Sequence, residues 1–309
     1  MPSQNEIRQS ITTRIVEALK SGDTLPWRKP WCNDLNAGFP ANLVSKRNYR
    51  GINPLLLEIA AMRHSFKSRW WATWNQWKDL GGRVMKRPDD VPPGSWGTTI
   101  VFCKPVVKTV TDDNGEEDEE KFFILRTYSV FNLDQVQGEH LDHLRVGYTT
   151  VSPVELDQRY EHADAAIAAT GATIEYGGNQ AFYNRKSDYI RLPYRHQFPG
   201  LTEFYETAFH ELVHWTEHPS RLDWDRANEG YAMGELIAEI GGRYTAAALG
   251  LGTADRLSNH ASYLSNWLEA MQNDPRFIFK ASTQASRAAD YLLSFNRQEA
   301  EQPEEVLAE

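Results

Sequence analysis

The chain has 309 residues, 41% hydrophobic and 24% charged, which is enough for two domains with their own cores and too apolar for a disordered protein. Its net charge of −9 is unevenly spread: residues 1–108 hold 17 Lys and Arg against 8 Asp and Glu, so a polyanion partner is expected for the front half and something else for the acidic remainder. Cys32 and Cys103 lack the spacing of a thiolate metal site or disulfide framework, the N-terminus lacks the apolar run of a signal peptide, and no apolar stretch reaches the roughly 18 residues of a membrane span, so a cytoplasmic protein with reduced thiols and no membrane partner is expected.

Ile7, Ile11, Ile15 and Leu19 recur every four residues and predict a helix over 7–20, closed by Gly22. In TLPWRKPW the prolines prevent further helix, and Trp27 and Trp31 flank the basic pair Arg28 and Lys29. The turn-rich KRNYRGINP then precedes a second apolar helix. In SRWWATWNQWKDLGG, Trp70, Trp74 and Trp77 recur at helical spacing and read as packing residues, while Trp71 points away from that stripe. TTIVFCKPVVKTV and KFFILRTYSVFNL predict strands on either side of the acidic turn TDDNGEEDEE.

Gln135 to Thr150 is polar and without periodicity, and the domain boundary is placed there: a first domain over 1–135, a linker over 136–152, a second domain over 153–297 and an acidic tail over 298–309. The second domain opens with a helix carrying Ser152 as N-cap and Glu155 at the capping-box position. ATIEY, AFYN and DYIRLP read as short strands. Helices follow from about Thr202 to His218 and from about Tyr231 to Leu249; the chain finishes with SYLSNWLEAMQ, a helix in ASTQASRAADYLLSF and the acidic tail.

Within FHELVHWTEH, His210 and His214 are four residues apart, so a helix projects both imidazoles to one face, with Glu211 beside them to reach a metal-bound water. Phe204, Ala208, Leu212 and Trp215 form a separate packing stripe. Zinc hydrolases use three protein ligands and leave a fourth position open. The next helix offers Glu235 and Glu239, again four apart; Glu235 is assigned to the metal and Glu239 to a hydrogen bond that orients a ligating histidine, with the reverse order left open. His218, just before Pro219, reads as a helix-end residue. Tyr231 and Tyr183 lie near these motifs as oxyanion donors, with ordinary packing as the favoured reading.

The front half combines cations with aromatic rings, the ingredients of single-strand binding. Arg28, Lys29, Lys46, Arg47, Tyr49, Arg50 and Trp71 are the expected contacts, with Tyr49 between Arg47 and Arg50 preferred. Zinc-finger spacing, a basic heptad helix and a GxxxxGK[ST] loop are all missing, which disfavours duplex reading and an NTP-driven motor. No acidic cluster suited to paired Mg²⁺ stands out, which disfavours a nuclease.

FYNRKSDYIRLP, FHELVHWTEHPSRL, YAMGELIAEIGGRYTAAALG and SYLSNWL resemble successive motifs of the C-terminal zincin-like metallopeptidase domain of ArdC-type antirestriction proteins. PWRKPW, PANLVSKRNYRGIN, RWWATWNQWKDLGGRV and YSVFNLDQVQG are similar to that family's N-terminal single-stranded-DNA-binding domain. The resemblance runs over about residues 5–295. It departs at Glu217, where a glycine is usual and a changed helix cap is expected, and at Gly234, where a glutamate is usual. The resemblance implies an α+β fold with an HExxH helix, zinc or another divalent ion such as manganese, single-stranded DNA as partner, and protection of incoming plasmid DNA from restriction during conjugation. Three mechanisms stay open at this point: occlusion of DNA, DNA-triggered peptidase cleavage of a host protein, and DNA binding with a non-catalytic metal. The oligomeric state is open too.

Overall fold

The computed structural model describes residues 3–21, 34, 36–111, 117–147, 153–224, 230–252 and 261–301. Helix α1 (Gln4–Lys20) starts at a capping box in which the Ser3 hydroxyl accepts from the Glu6 N–H at 3.2 Å and the Glu6 carboxylate accepts from the Ser3 N–H at 2.6 Å. Its four-residue repeat of Ile7, Ile11, Ile15 and Leu19 is buried, as expected. After β1 (Ala41–Asn42) comes α2 (Asn53–His64), opened by Pro54 in its first turn.

The tryptophan-rich stretch differs from its expected continuous helix. Trp70–Thr73 is a strand, β2, and α3 (Trp74–Asp79) begins only after it, because Thr73 and Gln76 form a capping box that sets the helix start between the tryptophans. The spacing of Trp70, Trp74 and Trp77 therefore spans two elements. Trp71 and Trp77 are fully buried while Trp74 stands 53% exposed.

β3 (Arg83–Val84) pairs antiparallel with β6 (Val136–Gln137). The long hairpin β4 (Thr98–Thr111) and β5 (Glu117–Asn132) pairs in register from Thr98 opposite Val130 to Thr111 opposite Glu117. β1, β2, β4 and β5 make a four-stranded sheet in the order β1-β2-β5-β4, with only β1 and β2 parallel in it, while β3 and β6 form a separate two-stranded sheet. The first part of the expected linker packs with the front half: Val136 and Leu141 are buried with Trp77, Val84 and Leu133, and Leu144 packs against them.

The second half places α4 (Pro153–Ala169) before a three-stranded sheet of β7 (Thr173–Tyr176), β8 (Phe182–Asn184) and β9 (Tyr189–Leu192), ordered β7-β9-β8. Ser152, the expected N-cap, lies outside the described residues. Helices α5 (Leu201–Trp215), α6 (Tyr231–Ala248), α7 (Ala261–Asn273) and α8 (Phe277–Glu301) complete an α+β chain. Phe204, Ala208, Leu212 and Trp215 of α5 are buried, as their periodicity requires. One core cluster joins α1 and α2 of the front half to α5, α6, α7 and α8. Across that junction the Tyr244 hydroxyl donates to the Gly51 carbonyl and the Gly51 N–H donates to the Ser286 hydroxyl, each at 2.8 Å. Among the described residues no helix is long and apolar enough to cross a membrane.

Candidate metal centre and nucleic-acid face

Helix α5 carries His210 and His214 on one side, and α6 crosses it closely enough to bring a carboxylate over both rings. The closeness comes from Gly241 and Gly242: a Cβ at Gly242 would stand 3.0 Å from the His210 backbone nitrogen, and one at Gly241 would stand 3.0 Å from a Val213 methyl. Side chains at these two positions would wedge the helices apart.

Glu235 lies with one oxygen 3.5 Å from His214 Nε2 and the other 3.6 Å from His210 Nε2. One ligand atom from each of the three residues falls within 4.8 Å of the others. Tetrahedral coordination with bonds of about 2.0–2.1 Å spaces its ligand atoms about 3.3 Å apart, so two imidazole nitrogens and a carboxylate oxygen at these separations fit a small divalent ion. The donor set, two nitrogens and one oxygen, is one that suits zinc or another small divalent ion.

The electrostatics favour a cation. Burial would lower the His214 pKa, but hydrogen bonds to Glu217 and Glu235 and their charges overcome it and push it up to about 9. Burial would raise the Glu235 pKa, yet the two histidines hold it well below the usual carboxylate range. Glu211 is buried, and its carboxylate makes no hydrogen bond or ion pair among the described residues.

Glu217 was the residue missed. It is fully buried, and its carboxylate bonds His214 Nδ1, which directs Nε2 toward Glu235. The expected role of changing a helix cap is replaced by that of orienting a histidine. Its signal in the sequence was a carboxylate three residues after the second histidine, within reach on the last helical turn. Glu239 stands farther off, with one oxygen 3.9 Å from His210 Nδ1. His218 bonds Ser220 at 2.7 Å and does not join the group. The Tyr231 hydroxyl lies 2.9 Å from that of Tyr263 and interacts with Glu235, which places it at the rim of the centre. Tyr183 is engaged elsewhere, donating to Asp188 at 2.8 Å and accepting from Arg221 at 3.0 Å.

The expected DNA contacts scatter. Arg28 and Lys29 lie outside the described residues. Lys46 and Arg47 are exposed on a turn that the Asn42 side chain organises by accepting from the Val44 and Ser45 N–H groups. Lys46 and Arg69 both stand over the Trp70 ring, 4.7 Å and 5.1 Å from its centre. Tyr49 is half-buried, its hydroxyl accepting from Asn42 at 3.4 Å, and Arg50 is ion-paired with Asp290 of α8. Trp71 is a correction: at 1% exposure it packs edge-on against Phe66 in the core and offers no face to a base. Among the described residues the exposed tryptophan is Trp74, held edge-on against Phe131.

Residues 5–131 match the profile of the N-terminal domain of anti-restriction factor ArdC, and residues 161–284 match that of a zincin-like metallopeptidase. A DNA primase TraC of Escherichia coli is 36% identical over 94% of this chain, and a second TraC is 33% identical over 98%, but the chain spans only 27% and 21% of those proteins. An uncharacterised protein, y4eC, of Sinorhizobium fredii is 32% identical over 93% of this chain and 91% of its own length. The crystal structure of the metal-free antirestriction protein ArdC from plasmid R388 superposes with a TM-score of 0.72 at 35% identity, covering 95% of this chain and 98% of that one. The Mn(II)-bound form of the same protein gives 0.67 at 35% identity. Matched in both halves and along nearly the full length of a solved member, the chain belongs to the family of ArdC-type antirestriction proteins.

Proposed function

We propose that this protein binds single-stranded DNA without sequence preference, shields incoming mobile-element DNA from restriction, and carries a metal-dependent peptidase centre formed by His210, His214, Glu235 and Glu211. The observation that carries the reading is the convergence of two histidines and a carboxylate from two helices, beside a buried carboxylate, Glu211, without a partner among the described residues. The relative solved with Mn(II) supports manganese or zinc as the ion.

His210 Nε2, His214 Nε2 and Glu235 would hold the ion, Glu217 orients His214, and Glu239 stands behind His210. When bound, a divalent ion in such a site supplies Lewis acidity toward water and a peptide carbonyl. Glu211 accepts the proton of the attacking water and returns it to the leaving amine. Tyr231 is the hydroxyl placed to donate to the developing oxyanion. On the front half, Lys46 and Arg47 track phosphates while the exposed Trp74 offers a ring to a base. We retain the division into a front DNA-binding unit and a metallopeptidase unit as part of this proposal, with residues 136–144 assigned to the front unit on their packing.

The test compares wild type with Glu211→Gln and His210→Ala for ion content, salt-dependent single-strand binding, peptide hydrolysis and protection of transferred DNA. Glu211→Gln is expected to keep ion and DNA while losing hydrolysis by about 10²-fold or more; hydrolysis at the wild-type rate would remove Glu211 as the base. Protection that survives this substitution assigns the biological effect to DNA occlusion, and protection lost with it assigns the effect to cleavage of a host protein.

A further inference from the structure

A cavity of about 990 Å³ lies between the front half and the metal-bearing helices, apart from both the HExxH residues and the Trp74 face. Its size falls at the upper end of the range, about 300–1,000 Å³, typical of small-ligand sites. Among the described residues five cations line it, Arg8, Arg50, Arg276, Lys280 and Arg287, against one carboxylate, that of Asp223. Arg50 and Arg276 are neutralised by Asp290 and Asp274. Arg8 has no partner among the described residues, and Arg287 bonds only the neutral Gln284 at 3.1 Å. The cavity thus keeps uncompensated positive charge that an anion would neutralise.

Its remaining wall is aromatic. Tyr49, Phe102, Trp224 and Phe279 contribute, Phe102 being 54% exposed and Trp224 being 5% exposed with a buried indole N–H that has no hydrogen-bond partner among the described residues. Cations together with ring faces suit a ligand that is itself part phosphate and part planar ring.

The cavity also touches α6 behind the metal centre and the segment that follows α5. Met233 and Ile237 of α6 line it, two residues from Glu235 and so about 200° around the helix from the carboxylate. Leu222 and Trp224 belong to the segment that follows the HExxH helix. A ligand pressing on this wall moves the helix that sets the distance from Glu235 to His210 and His214.

We propose that this cavity binds a nucleotide, with its phosphate on Arg8 and Arg287 and its base on the aromatic wall, and that occupancy changes the ion affinity of the HExxH centre. The binding stands on the cavity alone; the coupling rests on the metal reading above. The nucleotide comes either free or as a unit of a single strand, and the two sources share this chemistry.

Calorimetric titration of the full chain with thymidine monophosphate, with inorganic phosphate and with a short oligothymidylate tests it, using wild type and the Arg8→Glu/Arg287→Glu variant. Saturable thymidine monophosphate binding is expected, with phosphate alone much weaker and the double variant weaker by at least about tenfold. An oligothymidylate that displaces the mononucleotide identifies a strand as the source; one that binds alongside it identifies the free nucleotide. Should thermal melting show the double variant to be misfolded, Phe102→Ala removes part of the wall from an exposed position and is expected to weaken the mononucleotide in the same titration. Absence of saturable binding to wild type, or equal binding by a folded variant, overturns the site. Mn²⁺ titration with and without thymidine monophosphate reads the coupling: a several-fold shift in affinity is expected in wild type and none in the variant, and equal affinities in wild type overturn it. Failure of Mn²⁺ to bind at all would defeat the metal reading and its coupling, while the mononucleotide titration still decides the cavity.

Discussion

Glu217 shows how a residue outside the HExxH motif sets its chemistry. By taking a hydrogen bond from His214 Nδ1 inside a sealed environment it fixes one tautomer and points Nε2 at Glu235. Glu217→Ala is expected to lower ion affinity by about 10–100-fold, measured by competition with a chelator, with Glu217→Gln losing less. The same pair makes the metal-free protein pH-sensitive. With the His214 pKa raised to about 9, the pair's stabilisation is full below the unfolded value of about 6.5 and lost as pH rises through 9, so the melting temperature of the metal-free chain should fall across that window and Glu217→Gln should flatten the fall. An ion takes the neutral ring and reverses the sense: loading should release a proton, visible as a buffer-dependent heat. The tryptophans divide by the same accounting of exposure. Trp74→Ala should weaken single-strand binding by about 1–3 kcal/mol in a titration and leave the melt nearly unchanged, whereas Trp71→Ala should cost about 3–5 kcal/mol of stability in chemical denaturation.

At the scale of elements, the metal site is a product of one helix crossing. His210 and His214 could be placed on a common face from their spacing, and α5 matched its periodicity because Phe204, Ala208, Leu212 and Trp215 form a buried stripe. What spacing did not disclose was why α5 and α6 meet at this depth. Gly241 and Gly242, unremarkable inside a helical pattern, remove the side chains that would hold the backbones apart. Gly242→Ala is expected to destabilise the fold by about 1–3 kcal/mol in denaturant titration and to reduce ion affinity, because the added methyl meets the His210 backbone and not a side chain that can turn away. The break at Thr73 is the converse case. There a four-residue recurrence of tryptophan imitated one helix, and a capping box decided that it was a strand followed by a helix.

For the whole molecule, the front and rear halves are chemically distinct yet share a core. Ile7, Ile11, Ile15 and Leu55 belong to the same buried cluster as Phe209, Ile240 and Ala285, and the Gly51 loop is bonded to both α6 and α8. Calorimetric unfolding should therefore show one cooperative transition; two separated transitions would mean that the shared core does not couple the halves. A front segment cut off after residue 131 should lose solubility, because the cut exposes the apolar face of α1 and α2 that the rear helices cover.

By itself the sequence determined the local features: the amphipathic helices, the long β4–β5 hairpin, the HExxH pair with a carboxylate on the following helix, and the charge contrast between the two halves. These are readable because periodicity, turn chemistry and i, i+4 geometry act over a few neighbouring residues. Tertiary structure alone decided that Trp71 is buried and Trp74 exposed, that Glu217 and not Glu239 orients His214, and that Arg8 of α1 and Arg287 of α8 face one cavity. Each of these depends on which surfaces meet across long separations in the chain. Burial and charge pairing follow from that packing, since a side chain's solvent and partners are supplied by elements its own neighbours do not encode.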